Sequence, residues 1–188
     1  MTVLLSALLC VGIASRASAA VVDFNDVNPF STQNFSSNGY DFAFSGTGFG
    51  YLWGGNSPNA NGTNNLISSR GRTITVTQSD GGLFDFLGMD AALSWYNSQA
   101  NDTIQINGTS FNITPTLSNI ALSFEDVASV VISYNASNGS GAYWSGDNFV
   151  LQPASAAVPL PGGFPLLVTA LLGGAVVSRT AKRAKGQA

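Results

Sequence analysis

Hydrophobic and polar residues alternate in short segments along most of this chain. Residues 72–78 (RTITVTQ) place Ile74 and Val76 on one face and three threonines on the other, which is the two-residue period of a half-buried β-strand. Similar segments, bounded by turn residues, predict further strands over 21–25, 40–44, 83–87, 102–107, 110–114, 120–124, 129–134 and 148–151. Short strands at this spacing predict an all-β fold, an antiparallel β-sandwich of jelly-roll-like type.

Turn residues indicate how these strands are connected. Asp80-Gly81-Gly82 predicts a hairpin between 72–78 and 83–87. Asn107-Gly108 predicts a second hairpin, because both residues tolerate positive φ. For residues 88–96 we expect an irregular strand rather than one helical turn. Residues 49–65 are rich in Gly and Asn and predict a long loop, the kind of segment that is functional or mobile in a compact domain.

Both ends of the chain have the pattern of processing segments. Residues 1–19 are apolar and end with Ala17 and Ala19 at the −3 and −1 positions of a signal-peptidase site, so we expect a signal peptide cleaved after Ala19, with Ala20 as the alternative. A spacer of small residues, 152–157, follows the predicted sandwich domain, 20–151.

The segment 158–188 has three parts. Its motif is Val158-Pro159-Leu160-Pro161, an apolar run over 164–178 predicts a transmembrane helix, and a tail over 179–188 is basic. The run is at or below the lower length limit for crossing a bilayer, and the basic residues would stay on the cytoplasmic side. The basic residues of the tail are Arg179, Lys182, Arg183 and Lys185.

This tripartite segment resembles the PEP-CTERM family of sorting signals in its VPLPA variant, with Gly162 in place of the alanine. The resemblance implies an exported bacterial protein that is recognised near the Pro-containing motif by an exosortase-type membrane protease-transpeptidase. It also implies an inner-membrane stage during export, followed by the cell surface or an extracellular polysaccharide matrix. The alternative is a tail anchor that is never cleaved, on a periplasmic structural protein.

The composition of the domain excludes several function classes. It carries ten acidic residues and only two basic ones, Arg70 and Arg72, a net charge of −8 against −3 for the whole chain. Such an acidic surface excludes nucleic acid as a partner. The domain has no His and no Cys, which excludes thiol catalysis, Ser-His-Asp triads and zinc sites of the Cys/His type.

Oxygen-bearing side chains near the two ends of the domain form a candidate calcium site: Asp23, Asn25, Asp26, Asp147 and Asn148. Calcium prefers carboxylate, amide and carbonyl oxygens, and the first and last strands of a jelly roll are commonly neighbours. The alternative is that these residues serve local turn hydrogen bonds.

Aromatic residues flanked by glycine form a second candidate site. Tyr51, Trp53, Tyr143 and Trp144 could stack on the apolar C–H faces of sugars while nearby amides and carboxylates bind the hydroxyls. The alternative is that these rings pack into or cap the core. Trp95 and Tyr96 are further aromatic residues of this kind, without the flanking glycines.

A third possibility is carboxylate catalysis, for which a glycosidase needs two carboxylates at a defined separation. Asp85, Asp90, Asp102, Glu125 and Asp126 show no spacing that singles out a pair, so we expect no enzymatic activity.

Residues 81–85 (GGLFD) and 147–151 (DNFVL) resemble motifs of β-sandwich ectodomains that accompany this tail, whose architecture is similar to carbohydrate-binding modules. We therefore expect a non-enzymatic, structural or carbohydrate-binding component of a polysaccharide or biofilm matrix. The alternatives are a polysaccharide-processing enzyme and a purely structural, self-associating protein.

Overall fold

Twelve β-strands form in the part of the chain that the computed structural model describes, residues 18–32, 34–55, 61–93, 99–137 and 142–154. No helix occurs among these residues, and the all-β prediction is confirmed. The strands are β1 (Ala20–Val22), β2 (Phe35–Ser37), β3 (Tyr40–Gly46), β4 (Gly50–Trp53), β5 (Asn65–Ser69), β6 (Arg72–Gln78), β7 (Phe84–Leu93), β8 (Thr103–Ile106), β9 (Thr109–Asn112), β10 (Ser118–Val127), β11 (Val130–Asn135) and β12 (Tyr143–Pro153).

These strands make two six-stranded antiparallel sheets. The front sheet has the order β10-β7-β12-β5-β4, with β1 also beside β12, and the back sheet has the order β2-β3-β6-β11-β8-β9. Their inner faces meet through aromatic rings. The ring centroid of Phe42, in the back sheet, lies 5.5 Å from that of Phe149, in the front sheet. The ring centroid of Phe24 lies 5.1 Å from that of Phe42 and 5.3 Å from that of Phe149. The predicted antiparallel sandwich is therefore confirmed.

Of the two predicted hairpins, one forms and one does not. Ile106 pairs with Thr109 across Asn107-Gly108, whose φ angles are 47° and 81°, as the turn chemistry predicts. The Asp80–Gly82 turn also forms, with the Gly82 amide donating to Asp80 Oδ1 at 2.8 Å. However, β6 pairs in the back sheet and β7 in the front sheet, so the predicted hairpin is wrong. Each strand finds distant partners, and the turn passes the chain from one sheet to the other.

The long loop predicted over 49–65 is also wrong at both of its ends, because β4 and the first residue of β5 lie within it. Burial explains the strand: Leu52 is fully buried in the core, while Tyr51 and Trp53 on either side are half-buried. This alternation is the strand period, which the surrounding Gly and Asn residues concealed. The expected strand over 88–96 is confirmed for residues 88–93, the part that the structure describes.

Two local features of the front sheet position the candidate site. At the outer edge of β4, the Phe30 amide donates to the Leu52 carbonyl (2.6 Å) and the Leu52 amide to the Ser31 carbonyl (3.0 Å), so the edge is covered. Beside β12, β1 pairs with residues 149–151 and β5 with residues 143–146. Residues 147 and 148 therefore face a break between β1 and β5, and β12 bulges there.

Several predicted elements lie outside the described residues: Ala17, the motif Val158–Pro161, the apolar run 164–178 and the basic tail with Arg179, Lys182, Arg183 and Lys185. Ala19 is described and immediately precedes β1. Within the described ranges, no helix has the length and apolarity needed to span a membrane.

Candidate functional site

The outer face of the front sheet, which points away from the core, carries most of the predicted binding residues. Leu52, Leu66 and Trp144 belong to the core cluster, so their neighbours in β4, β5 and β12 project to the opposite face. Tyr51 pairs with Ile67, and Ile67 with Ser145, in one row across three strands. Ile67 and Ser145 are buried, and half-buried aromatic rings lie beside them.

Three of the four predicted carbohydrate-binding aromatics meet on this face. The rings of Tyr51 and Trp53 are 5.5 Å apart at an angle of 43°, and both side chains are half-buried. Burial, with a smaller effect of the nearby Tyr143, raises the pKa of Tyr51. Tyr143, at the start of β12, is half-buried as well. The three rings can therefore offer faces and edges to a ligand while the sheet holds their backbones.

Trp144 is the fourth predicted residue, and its prediction is wrong. Its side chain is fully buried in the core cluster, and an added Cβ at Gly146 would lie only 2.6 Å from the indole ring. Because β12 alternates, Tyr143 and Trp144 must point to opposite faces, and only Tyr143 reaches the outer one. Tyr143 and Trp144, although adjacent in sequence, therefore cannot both contact a ligand on the same face.

Two exposed phenylalanines that sequence reasoning missed extend this aromatic group. Phe49 is 69% exposed and precedes β4, where its carbonyl accepts a hydrogen bond from the Ser69 amide. Phe30 is 64% exposed, and its ring centroid lies 5.9 Å from that of Trp53. The pattern Phe49-x-Tyr51-x-Trp53 was a usable signal for one aromatic face. The sequence around Phe30 gave no such signal, because the position of Phe30 depends on its backbone pairing with β4.

Polar side chains occupy the outer face on the side of β7 and β10. Asp90 accepts hydrogen bonds from the side-chain amides of Asn119 (3.1 Å) and Asn148 (2.8 Å). Asp90 pairs with Asp147 across β7 and β12. Three strand spacings separate β7 from β4, about 14 Å. The face therefore combines aromatic rings at one edge with hydrogen-bonding amides and carboxylates at the other.

Four of the five residues predicted to bind calcium lie around the break between β1 and β5. Asp23 accepts two hydrogen bonds from Asn25, whose Oδ1 accepts the Asn64 amide. Asp147 Oδ2 lies 2.6 Å from Thr63 Oγ1, and its Oδ1 accepts the Asn148 amide at 2.7 Å. These contacts attach both ends of the domain to residues 63–64, and β1 pairs with β12, as the jelly-roll argument expects.

The carboxylate of the fifth residue, Asp26, accepts hydrogen bonds from the Ser37 hydroxyl and the Asn38 amide, which hold the β2–β3 turn. These contacts differ from those of the other four residues, and calcium binding by Asp26 stays a prediction. The described residues contain no group of three or more His, Cys, Asp or Glu side chains that could hold a metal. Calcium at the other four residues also stays a prediction.

The carboxyl group of Asp147 is fully buried. Burial, reinforced by the negative charges of Asp23 and Asp90, raises its pKa to about 6 against the hydrogen bonds from Thr63 and Asn148, which lower it. A group with this environment gains or loses its proton in mildly acidic solution.

No family model and no curated protein matches the chain. Solved structures similar to it include the CBM22-1 xylan-binding domain of Paenibacillus barcinonensis Xyn10C (12% identity, 77% of this chain and 100% of that chain, TM-score 0.44). A mutant of CBM29-2, a family 29 carbohydrate-binding module, matches at 13% identity. The match covers 77% of this chain and 99% of that chain, with a TM-score of 0.41. The CBM22-1–GH10 modules of Clostridium thermocellum xylanase Xyn10B, complexed with xylohexaose, match at 9% identity. The match covers 74% of this chain and 29% of that chain, with a TM-score of 0.46.

Proposed function

We propose that this protein is an exported, non-enzymatic β-sandwich that binds polysaccharide through the outer face of its front sheet. The observation that carries the proposal is the pair of Tyr51 and Trp53, whose half-buried rings lie 5.5 Å apart on that face with Tyr143 nearby. Rings held by a sheet in this way offer apolar surface without the ordering cost of a flexible loop. The amides and carboxylates around Asp90 supply partners for sugar hydroxyls.

A polysaccharide-processing enzyme is the rival function, and the pair Asp90 and Asp147 is the arrangement that it would use. Cross-strand neighbours have Cβ atoms roughly 5 Å apart, and a retaining glycosidase needs its carboxyl groups about 5 Å apart. However, Asp147 is fully buried, and the oxygens of both side chains already accept hydrogen bonds. A catalytic carboxyl group must reach the scissile bond, so we favour binding.

We also propose how the chain is exported and processed. The segment 158–188 supports sorting by an exosortase-type protease-transpeptidase after export across the inner membrane, with delivery to the cell surface or the polysaccharide matrix of a biofilm. Calcium bound by Asp23, Asn25, Asp147 and Asn148 would brace the break beside β12.

Binding of the full chain, purified in mild detergent, to immobilised xylan, cellulose, mannan and mixed-linkage glucan tests the function. We expect saturable binding to at least one polysaccharide and a loss of roughly tenfold or more in Trp53→Ala, as for other central aromatic contacts. Leu83→Ala removes a side chain that is 48% exposed elsewhere on the surface and should bind normally. If none of these polysaccharides binds saturably, the alternative of a purely structural, self-associating protein would be favoured instead.

A further inference from the structure

Four aromatic residues lie along the β4 edge of the front sheet. Tyr51 and Trp53 lie two residues apart in β4, and Phe49, just before the strand, continues the alternation with a backbone hydrogen bond to Ser69. Positions two residues apart share one face and lie about 7 Å apart along the backbone. The segment 30–31, hydrogen-bonded to Leu52, then adds the ring of Phe30 against Trp53. We call this group the β4 aromatic row. Its two end rings are its most exposed members, 69% for Phe49 and 64% for Phe30.

The backbone of Phe30 is strained in a way that core packing does not explain. Its φ is 66°, in the left-handed region that bulky residues rarely adopt and that Gly or Asn would occupy more readily. The two hydrogen bonds to Leu52 hold it there, while its ring remains mostly in solvent. Strain retained without a gain in burial is a feature of ligand-contacting positions.

The charges around the β4 aromatic row restrict what it can bind. None of its four side chains is charged, and the carboxylates on the same face, Asp90 and Asp147, would repel an acidic ligand. Of the two basic residues in the described ranges, Arg72 binds the Gly46 carbonyl and the ring of Phe44. Arg70, exposed just after β5, is a single positive charge against these two carboxylates. The surface therefore suits a neutral chain better than an acidic one.

We propose that the β4 aromatic row binds an internal segment of a linear, uncharged polysaccharide that lies along β4, with Phe30 and Phe49 contacting the sugars at the two ends. The inference rests on the proposed function and adds the direction, length and charge of the ligand. A group of neighbouring rings whose two end members are the most exposed fits a continuing chain. Affinity then depends on how many rings the chain covers, since each contact adds its own contribution.

The test measures binding of the full chain, by calorimetry in mild detergent, to tri- and hexasaccharides of xylan, cellulose, mannan and mixed-linkage glucan. We expect the hexasaccharide of the bound polysaccharide to bind at least tenfold more tightly than its trisaccharide. Phe30→Asn and Phe49→Ser should each weaken hexasaccharide binding roughly fivefold and leave trisaccharide binding unchanged. Val131→Ser, at a side chain 40% exposed on the back sheet, is the matched control.

Folding of the variants is checked by melting temperature, and Phe30→Asn should melt no lower than the parent, because Asn accepts the left-handed backbone. Equal affinity for both lengths, or variants that bind the hexasaccharide normally while Trp53→Ala does not, would overturn the inference and leave the proposed function standing. Variants that only convert an oligomer into a monomer would also overturn it, since the row would then join copies of the chain. Failure of every sugar to bind would overturn both proposals.

Discussion

Asp102 shows how a single buried charge can be stabilised in this domain. Its side chain is fully buried and accepts hydrogen bonds from the Tyr134 hydroxyl (2.5 Å), the Ser137 amide and hydroxyl (2.7 and 2.8 Å) and the Gln99 amide (2.8 Å). Burial alone would raise the pKa of Asp102, but these hydrogen bonds together outweigh it and lower the pKa. The carboxylate therefore joins the segments at 99 and 137 to β11.

We predict that Asp102→Asn lowers the free energy of unfolding by about 2–3 kcal/mol, because the charge-assisted hydrogen bonds are lost and an NH2 donor replaces one of the two accepting oxygens. Since the folded-state pKa is depressed, the contribution of Asp102 is present above the unfolded pKa and disappears as the pH falls through the folded value. Urea unfolding from pH 7 to pH 3 measures both effects. Asp126→Asn, on the exposed bulge of β10, should be nearly neutral, and an equal loss there would contradict this account.

Asp147 should show the opposite pH dependence. Its folded-state pKa is raised to about 6, so the folded state binds the proton more tightly than the unfolded state, and stability increases as the pH falls from about 6 to 4. We expect a gain of roughly 2 kcal/mol over that range in the presence of a chelator. Asp147→Asn should flatten this part of the profile. A wild-type profile that is already flat there would show that the carboxyl group is solvated.

Calcium binding at the same site predicts a change in thermal stability. A cation coordinated by Asp23 and Asp147 favours the ionised carboxylates, so added calcium at pH 7 should raise the melting temperature and a chelator should lower it. Asp23→Asn should abolish this response, whereas Asp26→Asn should leave it unchanged, because Asp26 serves the β2–β3 turn. A melting temperature that is insensitive to calcium in the parent protein would remove the metal from the proposal.

At the scale of elements, β12 is the strand on which the front sheet depends, since it pairs with β1, β5 and β7. One of its residues, Gly146, must be small: an added Cβ would lie 2.6 Å from Trp144 Cζ3 and 2.9 Å from Met89 Cε. The indole ring is itself buried against the core and cannot move away freely.

We therefore predict that Gly146→Ala destabilises the domain by about 1–3 kcal/mol through overpacking. Gly54→Ala is the matched control, because a Cβ there would meet Pro29 at an ordinary 3.6 Å. Thermal unfolding of the two variants compares them directly. Equal melting temperatures would mean that the core around Trp144 relaxes more easily than its packing indicates.

For the whole molecule, the proposed sorting route predicts the mass of the mature protein. Export in the native host should remove residues 1–19, and processing should end the chain near Val158-Pro159-Leu160-Pro161. Mass spectrometry of the surface-associated protein measures both ends. Replacement of residues 158–161 by alanine should leave residues up to 188 attached, while the same replacement at 152–155 in the spacer should not. A mature protein that retains its basic tail would indicate a permanent anchor.

The prediction of this fold from sequence succeeded where the information was local. The alternation in β6 and the positive-φ turn at Asn107-Gly108 each depend on neighbouring residues alone, and both are confirmed. The 80–82 turn shows the limit of such reasoning. Its residues specify a change of direction, but whether β6 and β7 remain in one sheet depends on competition with β3, β10, β11 and β12, which are distant in sequence.

For the candidate site, the sequence by itself determined which chemistry is possible: an acidic domain without His or Cys, rich in aromatic and amide side chains, with an address-like C-terminal segment. Only the tertiary structure decided which side chains share a surface. It moved Trp144 into the core and Asp26 to a separate turn, and it placed Phe30 beside Trp53. Composition and period are properties of short segments, whereas a binding face is made by strands that meet only when the core closes.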